Sequence, residues 1–501
     1  MTKSYEELMG ALGRAVFFRP ERRRVRDLLS RDAQPQLLVN EQEYPLFDLS
    51  MNGVSFVARN SARVWDVGTE IEIGLLLYNK QIYKGRGRVA RLEPGPKAGT
   101  RVGVGLTSGF LDLPEILRQD EEGHLERELR LGPDYWRTKI PKGFQEAVSH
   151  AATFLQFYRQ VLDRHETRYK ARGGGGNQAI AALDQRALSA LREPWNDIQR
   201  AASLAAIECL DDREVLLAAK DYTETLVTPV VMVCPLHHRA YTKPLGYSGD
   251  YQVMGYYYNN SLEGDSVFAR VFHKFGVEHP LSNGVRTRKD FIVDLLMKEH
   301  DRFLTLEKGE SVFRVASLGC GPAREVSDFV KRRKVWPKEV VFTLIDQEDE
   351  ALSIAYHEGQ REILAAGCNG LLQCLNLSFI QILRDPSLVP VEHRQHFIFA
   401  TGLFDYLRET TAQVLLRALY DQLETGGFLA VGNAISPNDY FWSAEFMLDW
   451  TMLYRTREEM LRLGMGLPQT AELEVVVEPG NAYYFLLVRK HGASATPSSR
   501  T

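Results

Sequence analysis

The chain has 501 residues, 44% hydrophobic and 25% charged, the make-up of a globular protein with material for about three domains and several buried cores. Lys and Arg number 61 against 65 Asp and Glu, so a net charge of −4 gives no general pull toward nucleic acid or an anionic membrane. No apolar run reaches the roughly 18 residues of a transmembrane helix, and the five cysteines, none in a CxxC pair, suit a reducing cytoplasm rather than disulfides or zinc.

Residues 1–18 read as a short amphipathic helix, too polar for a signal peptide. Between 19 and 115, the runs QLLVN, GVSFVA, TEIEIGLLLY and KGRGRVARL are separated by turn residues at Asn52-Gly53, Gly68, Asn79 and Pro94-Gly95. Short strands at this spacing predict a small β-barrel. From 116 to 229 the pattern is helical, and Phe144, Val148, Ala151, Leu155, Tyr158 and Leu162 recur on one helix face. The four glycines from Gly173 to Gly176 predict a loop between two helices. From 230 to 490 strands alternate with helices. FRVASLG, VVFTLID, LLQCLN, HFIFAT and FLAVGN are apolar enough for buried parallel strands, and LEVVVE and YYFLLVR flank Pro479-Gly480-Asn481 as a hairpin. The tail 491–501 is small and polar, and disorder is expected there. The predicted fold is multidomain, α+β and α/β: a small barrel, a helical connector and a Rossmann-like sheet domain.

Two segments near the start carry chemistry. Residues 19–31 hold Arg19, Arg22, Arg23, Arg24, Arg26 and Arg31 against Glu21 and Asp27, a basic arm in an acidic protein. Alone it reads as a solvated charged face. Asp48-Leu49-Ser50-Met51-Asn52-Gly53 precedes the strand GVSFVA, and alone it reads as a turn. Together, Arg22-x-x-x-Arg26 and Asp48-x-Ser50-x-x-Gly53 at the mouth of a barrel resemble the PilZ domain, over residues 18–115. Arg19-x-x-x-Arg23 fits the first half of the motif as well. The resemblance implies binding of cyclic di-GMP through Arg22, Arg23, Arg26, Asp48, Ser50 and Gly53. Guanidinium groups grip phosphates bidentately and reach guanine edges, and a carboxylate accepts from guanine N–H groups.

In the C-terminal part, Phe313-Arg-Val-Ala-Ser-Leu-Gly319-Cys-Gly321 reads as strand, glycine turn, then helix. The dinucleotide fingerprint fails, because Arg324 stands where its third glycine belongs. Asp346 ends the next strand, where a carboxylate can accept ribose hydroxyls or merely cap a helix, and Asn376 ends the third, beside an adenine edge or in a plain loop. Gly319, Gly321, Asp346 and GGFLAVGN resemble the core of class I S-adenosylmethionine methyltransferases, which implies a seven-stranded sheet and that cofactor. Tyr241 to Tyr251, Arg286-Thr-Arg288, Gly402-Leu-Phe-Asp405-Tyr406-Leu and Leu448 to Arg455 resemble bacterial methyltransferases of 3-hydroxypalmitic acid methyl ester biosynthesis.

Methyl transfer to a carboxylate needs alignment and a cation, not a base, since the acid is ionised at neutral pH. Arg286, Arg288, His237 and His238 are candidates to hold it. For the arginines the alternatives are surface charge or the cofactor's own carboxylate. Tyr247 and Asp250 occupy a glycine-containing turn expected as a lid, where Asp250 meets the cofactor's amino group or bonds its own backbone. Asp405 and Tyr406 stand at the carboxyl end of the fourth strand, facing substrate. His237-His238 has no further ligand spacing, so no metal site is expected. The sequence reading is a cytoplasmic, cyclic di-GMP-responsive methyltransferase acting on a small fatty or hydroxy-fatty acid. Its rivals are a non-enzymatic cyclic di-GMP effector and a protein or RNA methyltransferase.

Overall fold

The computed structural model describes residues 23–29, 33, 35–58, 65–94, 99–131, 134–172, 176–307, 311–384, 394–436 and 439–492. Two compact units divide at Thr138. The helix expected over 1–18 and most of the tail 491–501 lie outside the described residues.

The first unit is a closed antiparallel barrel. Its strands are β2 (Gln36–Val39), β3 (Gln42–Ser50), β4 (Gly53–Ala58), β5 (Glu70–Leu77), β6 (Lys80–Pro94) and β7 (Thr100–Leu106). They run in the order β3-β2-β5-β6-β7-β4, and β4 pairs back onto β3, so no edge is left in the ring. Alternation sets the inward face: Ile71, Ile73, Leu75 and Leu77 of β5 are buried, and the residues between them are not. Tyr44, Phe56 and Trp65 stack edge to face or tilted at one point of the core. A two-residue strand, β1 (Arg23–Arg24), adds to β3 with Arg24 opposite Asp48. Asp48 and Ser50 belong to β3, so the segment expected as a turn is the end of a strand, and the turn itself is Met51-Asn52. Helix α1 (Leu113–Leu131) seats Ile116 in the barrel core, and its Asp120 accepts from the Tyr78 hydroxyl at 3.0 Å.

The second unit is built on a seven-stranded sheet of β8 (Phe313–Leu318), β9 (Val340–Asp346), β10 (Gly370–Asn376), β11 (Gln395–Ala400), β12 (Leu423–Ala434), β13 (Ala471–Val477) and β14 (Tyr483–Lys490). The order is β10-β9-β8-β11-β12-β14-β13, with β14 antiparallel to both neighbours. The five apolar runs expected as parallel strands are parallel, and the last two pair as the expected antiparallel hairpin. Order reverses between β8 and β11, which opens a crevice at the carboxyl ends of the strands.

Eight helices carry the argument in this unit: α2 (Lys142–Lys170), α3 (Gly176–Ala206), α4 (Pro235–Thr242), α5 (Tyr251–Asn259), α6 (Val267–Val277), α7 (Pro280–Leu306), α8 (Arg324–Arg332) and α9 (Asp349–Ala366). Helices α7, α8 and α9 fill one face of the sheet, through Ile292, Leu296, Phe329 and Leu352 among others. The helices Glu409–Asp421 and Arg457–Leu463 fill the other. Of the four glycines expected as a loop between α2 and α3, Gly173 to Gly175 lie outside the described residues and Gly176 is the first residue of α3. The expected face of α2 is the buried one, through Phe144, Val148, Ala151, Leu155 and Leu162. Both helices join α6: Glu166 accepts from Val267 N, Asp184 pairs with Arg270, and Trp195 meets Phe272 edge to face.

Candidate functional site

One cavity of about 360 Å³ opens in the crevice of the second unit. Its floor is the turn after β8. Gly319 and Gly321 both have positive φ, +63° and +51°, a conformation that favours glycine. A Cβ on Gly321 would meet nothing within 4 Å, and one on Gly319 only Leu403 at 3.7 Å, so the turn presents bare backbone to the cavity. Asp346 tethers it: Oδ2 accepts from Gly321 N at 2.8 Å and Oδ1 from Glu348 N at 3.1 Å. Burial raises the Asp346 carboxyl above its usual value, and these N–H groups oppose the rise. Tyr247 lines the same end of the cavity, its phenol held protonated by burial and by the carboxylates of Asp346 and Glu348.

A second charged group sits further along. Arg288 of α7 is 5% exposed and lines the cavity. Its Nη1 lies 3.7 Å from Asp405 Oδ2, too far for a hydrogen bond, and its Nε has no partner. The guanidinium lies over the Tyr483 ring at 4.4 Å. Gly402 makes room for it, since a Cβ there would stand 2.8 Å from Nη2. Burial works against its charge, but Tyr483, Asp405, Tyr258 and Glu325 outweigh that, and it stays protonated. Asp405 is pushed up to about 6 by burial, against the pull of Arg288 and the N–H of Ala434. Tyr406 lines the cavity with its hydroxyl accepting from Trp450 Nε1 at 2.8 Å. Buried Arg455 donates to the carbonyls of Phe404 and Leu407, which fixes the loop that carries Asp405 and Tyr406.

The structure therefore brings Gly319, Gly321, Asp346, Tyr247, Arg288, Asp405 and Tyr406 to one cavity. It does not bring Asp250, Arg286, Asn376 or His238 there. Asp250 is fully buried as the N-cap of α5, accepting from Gln252 N and Val253 N and paired with Arg239 at 2.7 Å, so its oxygens are committed. Arg286 points the other way, donating to the carbonyls of Tyr257 at 2.7 Å and Val277 at 3.1 Å, and ties α5 and α6 to α7. Asn376 is exposed and donates to Gln347 O, while Leu377, Ser378 and Phe379 after it line the cavity instead. His237 lines the cavity and His238 does not. Among the described residues no group of His, Cys, Asp and Glu gathers to hold a metal.

The sequence reading missed much of the roof. Trp195 and Gln199 of α3 and Ser443, Ala444 and Met447 line the cavity, next to Leu448 and Trp450 of the segment it singled out. The signal for Ser443, Ala444 and Met447 is a π-turn over Ser443–Met447, a form enriched at functional sites that leaves no mark in hydrophobic periodicity.

In the barrel, the strand β1 lays Arg23 and Arg24 against Leu49 and Asp48, so part of the arginine run and the Asp48-x-Ser50 segment share one barrel end. Arg22 lies outside the described residues, as do the side chains of Arg23 and Arg26. Asp48 is buried and paired with Arg101, which also lies over the Phe47 ring. Ser50 donates to Asn52 and to the carbonyl of Gly53.

No family model and no curated protein matches the chain. Among solved structures it is similar to a possible exported protein from Bordetella parapertussis, at 17% identity and a TM-score of 0.39, over 51% of this chain and 86% of that one. It is also similar to the N-methyltransferase NodS from Bradyrhizobium japonicum, at 13% and 0.29, over 43% of this chain and 98% of that one. The magnesium protoporphyrin IX methyltransferase from Synechocystis PCC 6803 with bound SAM gives 8% and 0.29, over 42% and 83%. Likeness at this distance assigns no activity to the chain. No helix among the described residues is long and apolar enough to cross a membrane.

Proposed function

We propose that the second unit is an S-adenosylmethionine-dependent methyltransferase that esterifies a small acid with an apolar body, and that the barrel is a PilZ-like sensor of cyclic di-GMP that tunes it. The observation that carries the reading is the bare glycine turn tied to Asp346 at the point where strand order reverses. That floor fits the cofactor: open backbone for close approach, and a carboxylate with acceptor capacity left for ribose hydroxyls. When bound, S-adenosylmethionine supplies an electrophilic methyl group.

The chain's own residues do the rest. Arg288 holds a carboxylate with its planar fork, in a cavity where water competes little. Asp405 beside it limits the excess charge when the site is empty. The acceptor has no proton to lose at neutral pH, so no side chain need act as a base. Alignment and exclusion of water are the contribution of Tyr247, Tyr406 and the apolar roof. Arg288→Lys keeps the charge and loses the fork. Loss of two charge-assisted bonds in Arg288→Met should weaken its carboxylate ligand about 100-fold or more. The test is calorimetry with S-adenosylmethionine on the full chain, then methyl ester formation across a panel of fatty acids. A raised KM for the acid with unchanged cofactor affinity assigns Arg288 to the acceptor, and the reverse assigns it to the cofactor. No cofactor binding to the wild type would sink the reading.

For the barrel, support comes from β1 lying beside Asp48. Nucleotide-dependent turnover of the second unit implies reciprocal linkage, so saturating cofactor changes cyclic di-GMP affinity by the same factor, typically about 5- to 150-fold. Equal affinities and unchanged turnover would mean two independent activities on one chain.

A further inference from the structure

The two opposite charges in the cavity wall are held apart. Arg288 and Asp405 are 5% and 2% exposed, and both line the cavity. The Arg288 guanidinium makes no hydrogen bond among the described residues. Asp405 Oδ1 accepts from Ala434 N at 2.7 Å, while Oδ2 faces only Arg288 Nη1, at 3.7 Å. A buried ion pair recovers the cost of leaving water only by closing to good geometry with full hydrogen bonding. Here the Tyr483 ring beneath Arg288 and the Ala434 N–H on Asp405 keep each partner where it is. The gap between them is a place for a ligand oxygen.

An acid that enters with its carboxylate toward Arg288 meets a second carboxylate on the same cation. Two like charges this close do not both persist in a buried site, and one of them takes a proton. Asp405 is the one prepared for it. Burial has already pushed it up to about 6, above the roughly 4 of an ordinary carboxylic acid. The groups that face it are Arg288 of α7, Ala434 N of β12, Arg455, and the phenols of Tyr406, Tyr454 and Tyr483, none of them a second carboxylate. Glu325 faces the same guanidinium from α8, but it does not line the cavity. Once protonated, Oδ2 becomes a donor, and the acceptor's carboxylate receives both that O–H and the Arg288 N–H groups.

We infer that Asp405 takes a proton from water as the acceptor acid binds and returns it once the ester has formed, so that it grips the substrate as a neutral donor and competes with the product as an anion. The inference rests on the reading of the cavity as a methyltransferase acceptor site, with the carboxylate held by Arg288. The proton count balances. Methyl transfer joins a carboxylate oxygen to the methyl carbon, the electron pair of the broken C–S bond stays on sulfur, and no proton is used. The product is a neutral ester, which leaves Arg288 without an anion. Asp405 then ionises, its proton goes to water, and Arg288 pairs with Asp405 rather than with the ester, which favours release.

The probes are octanoate, isotope-labelled at its carboxyl carbon for NMR, and methyl octanoate. Calorimetry on the full chain with S-adenosylhomocysteine present, repeated in buffers of different ionisation heat, counts the protons taken up. Octanoate should bind with uptake approaching about one proton at pH roughly 8, and its affinity should fall about tenfold per pH unit above the Asp405 value. The ester should bind with no uptake over the same range. Asp405→Asn keeps the Ala434 bond through its carbonyl and donates through its amide. It should bind octanoate without uptake and, at pH roughly 8, about 100-fold more tightly than the wild type. The carboxyl signal of bound octanoate should stay that of an ionised acid. A protonated signal, octanoate binding by the wild type without uptake, or uptake that survives Asp405→Asn would overturn the inference. If Asp405→Asn fails to fold, the wild-type uptake and the carboxyl signal decide. Cofactor affinity, measured in the same series, separates the two readings. No cofactor binding removes the methyltransferase and the inference with it, and cofactor binding without octanoate binding removes the acceptor site and the inference. Octanoate binding without proton uptake removes the inference alone.

Discussion

Replacing Asp346 tests the floor of the cavity most directly. A carboxylate has about four acceptor sites. Gly321 N and Glu348 N use one on each oxygen, at 2.8 and 3.1 Å, which leaves one on each for a pair of ribose hydroxyls. Asp346→Ala removes both kinds of bond. The ribose share is about 2–4 kcal/mol for two charge-assisted bonds, or roughly 30- to 1,000-fold in S-adenosylmethionine affinity. Asp346→Asn is no gentle control, because its amide nitrogen must face either Gly321 N or Glu348 N, donor against donor, so it should loosen the turn as well. Protonation acts like a weaker form of the same substitution. Burial raises this carboxyl, so wild-type affinity should hold at neutral pH and decline as pH falls through that raised value, and the dependence should vanish in Asp346→Ala. Calorimetry from neutral to mildly acid pH, with circular dichroism to confirm folding, reads both effects. A folded Asp346→Ala chain with wild-type affinity would refute the argument, because the turn it tethers would then have no part in binding.

Three further outcomes are expected. Asp405 has a folded value of about 6 against an ordinary 3.8, so the folded state holds its proton more tightly and stability is lost as pH rises through that window, by about 3 kcal/mol in full; urea unfolding should show Asp405→Asn with a flatter pH dependence, and parallel curves would count against a buried, costly charge. Arg286→Met, which loses its bonds to Tyr257 O and Val277 O, should lower stability by about 2–4 kcal/mol while cofactor affinity of the folded protein is unchanged, and a selective affinity loss would return Arg286 to the site. Arg26→Ala and Asp48→Ala should each weaken cyclic di-GMP binding about 10- to 100-fold in calorimetry, and wild-type binding by both would place the nucleotide elsewhere.

Much of this was legible in the sequence because it is local. The strands β8 to β14 are continuous apolar runs or a hairpin, and the glycines at 319 and 321 mark a turn whatever surrounds them. Asp405 was readable as a charge at a strand end and Arg288 as a candidate cation, yet their proximity across 117 positions of sequence was not. Asp250 and Arg286 show the opposite failure. Each looked like a ligand group, and each is consumed by backbone, Asp250 at a helix start and Arg286 at two helix-end carbonyls. A charge near a site resembles a charge in it until the third dimension assigns its partners. Trp195 and Gln199 were invisible for a related reason: on a helix such as α3, core-facing and cavity-facing residues share one periodicity.

The way α2 and α3 lie on α6 also bears on how this chain can be divided, in the laboratory or in descent. A fragment starting at residue 230 would retain every strand of the sheet and the whole glycine turn after β8. It would also strip the cover from Phe268 and Phe272, both now within 1% of full burial, and remove one side of the cavity. Such a fragment exposes a sticky apolar floor and should aggregate or require a substitute helical pair. The smallest transplantable piece that keeps the cavity whole therefore begins near Lys139, and a gene fusion that respects only the sheet would inherit the glycine turn without the roof above it.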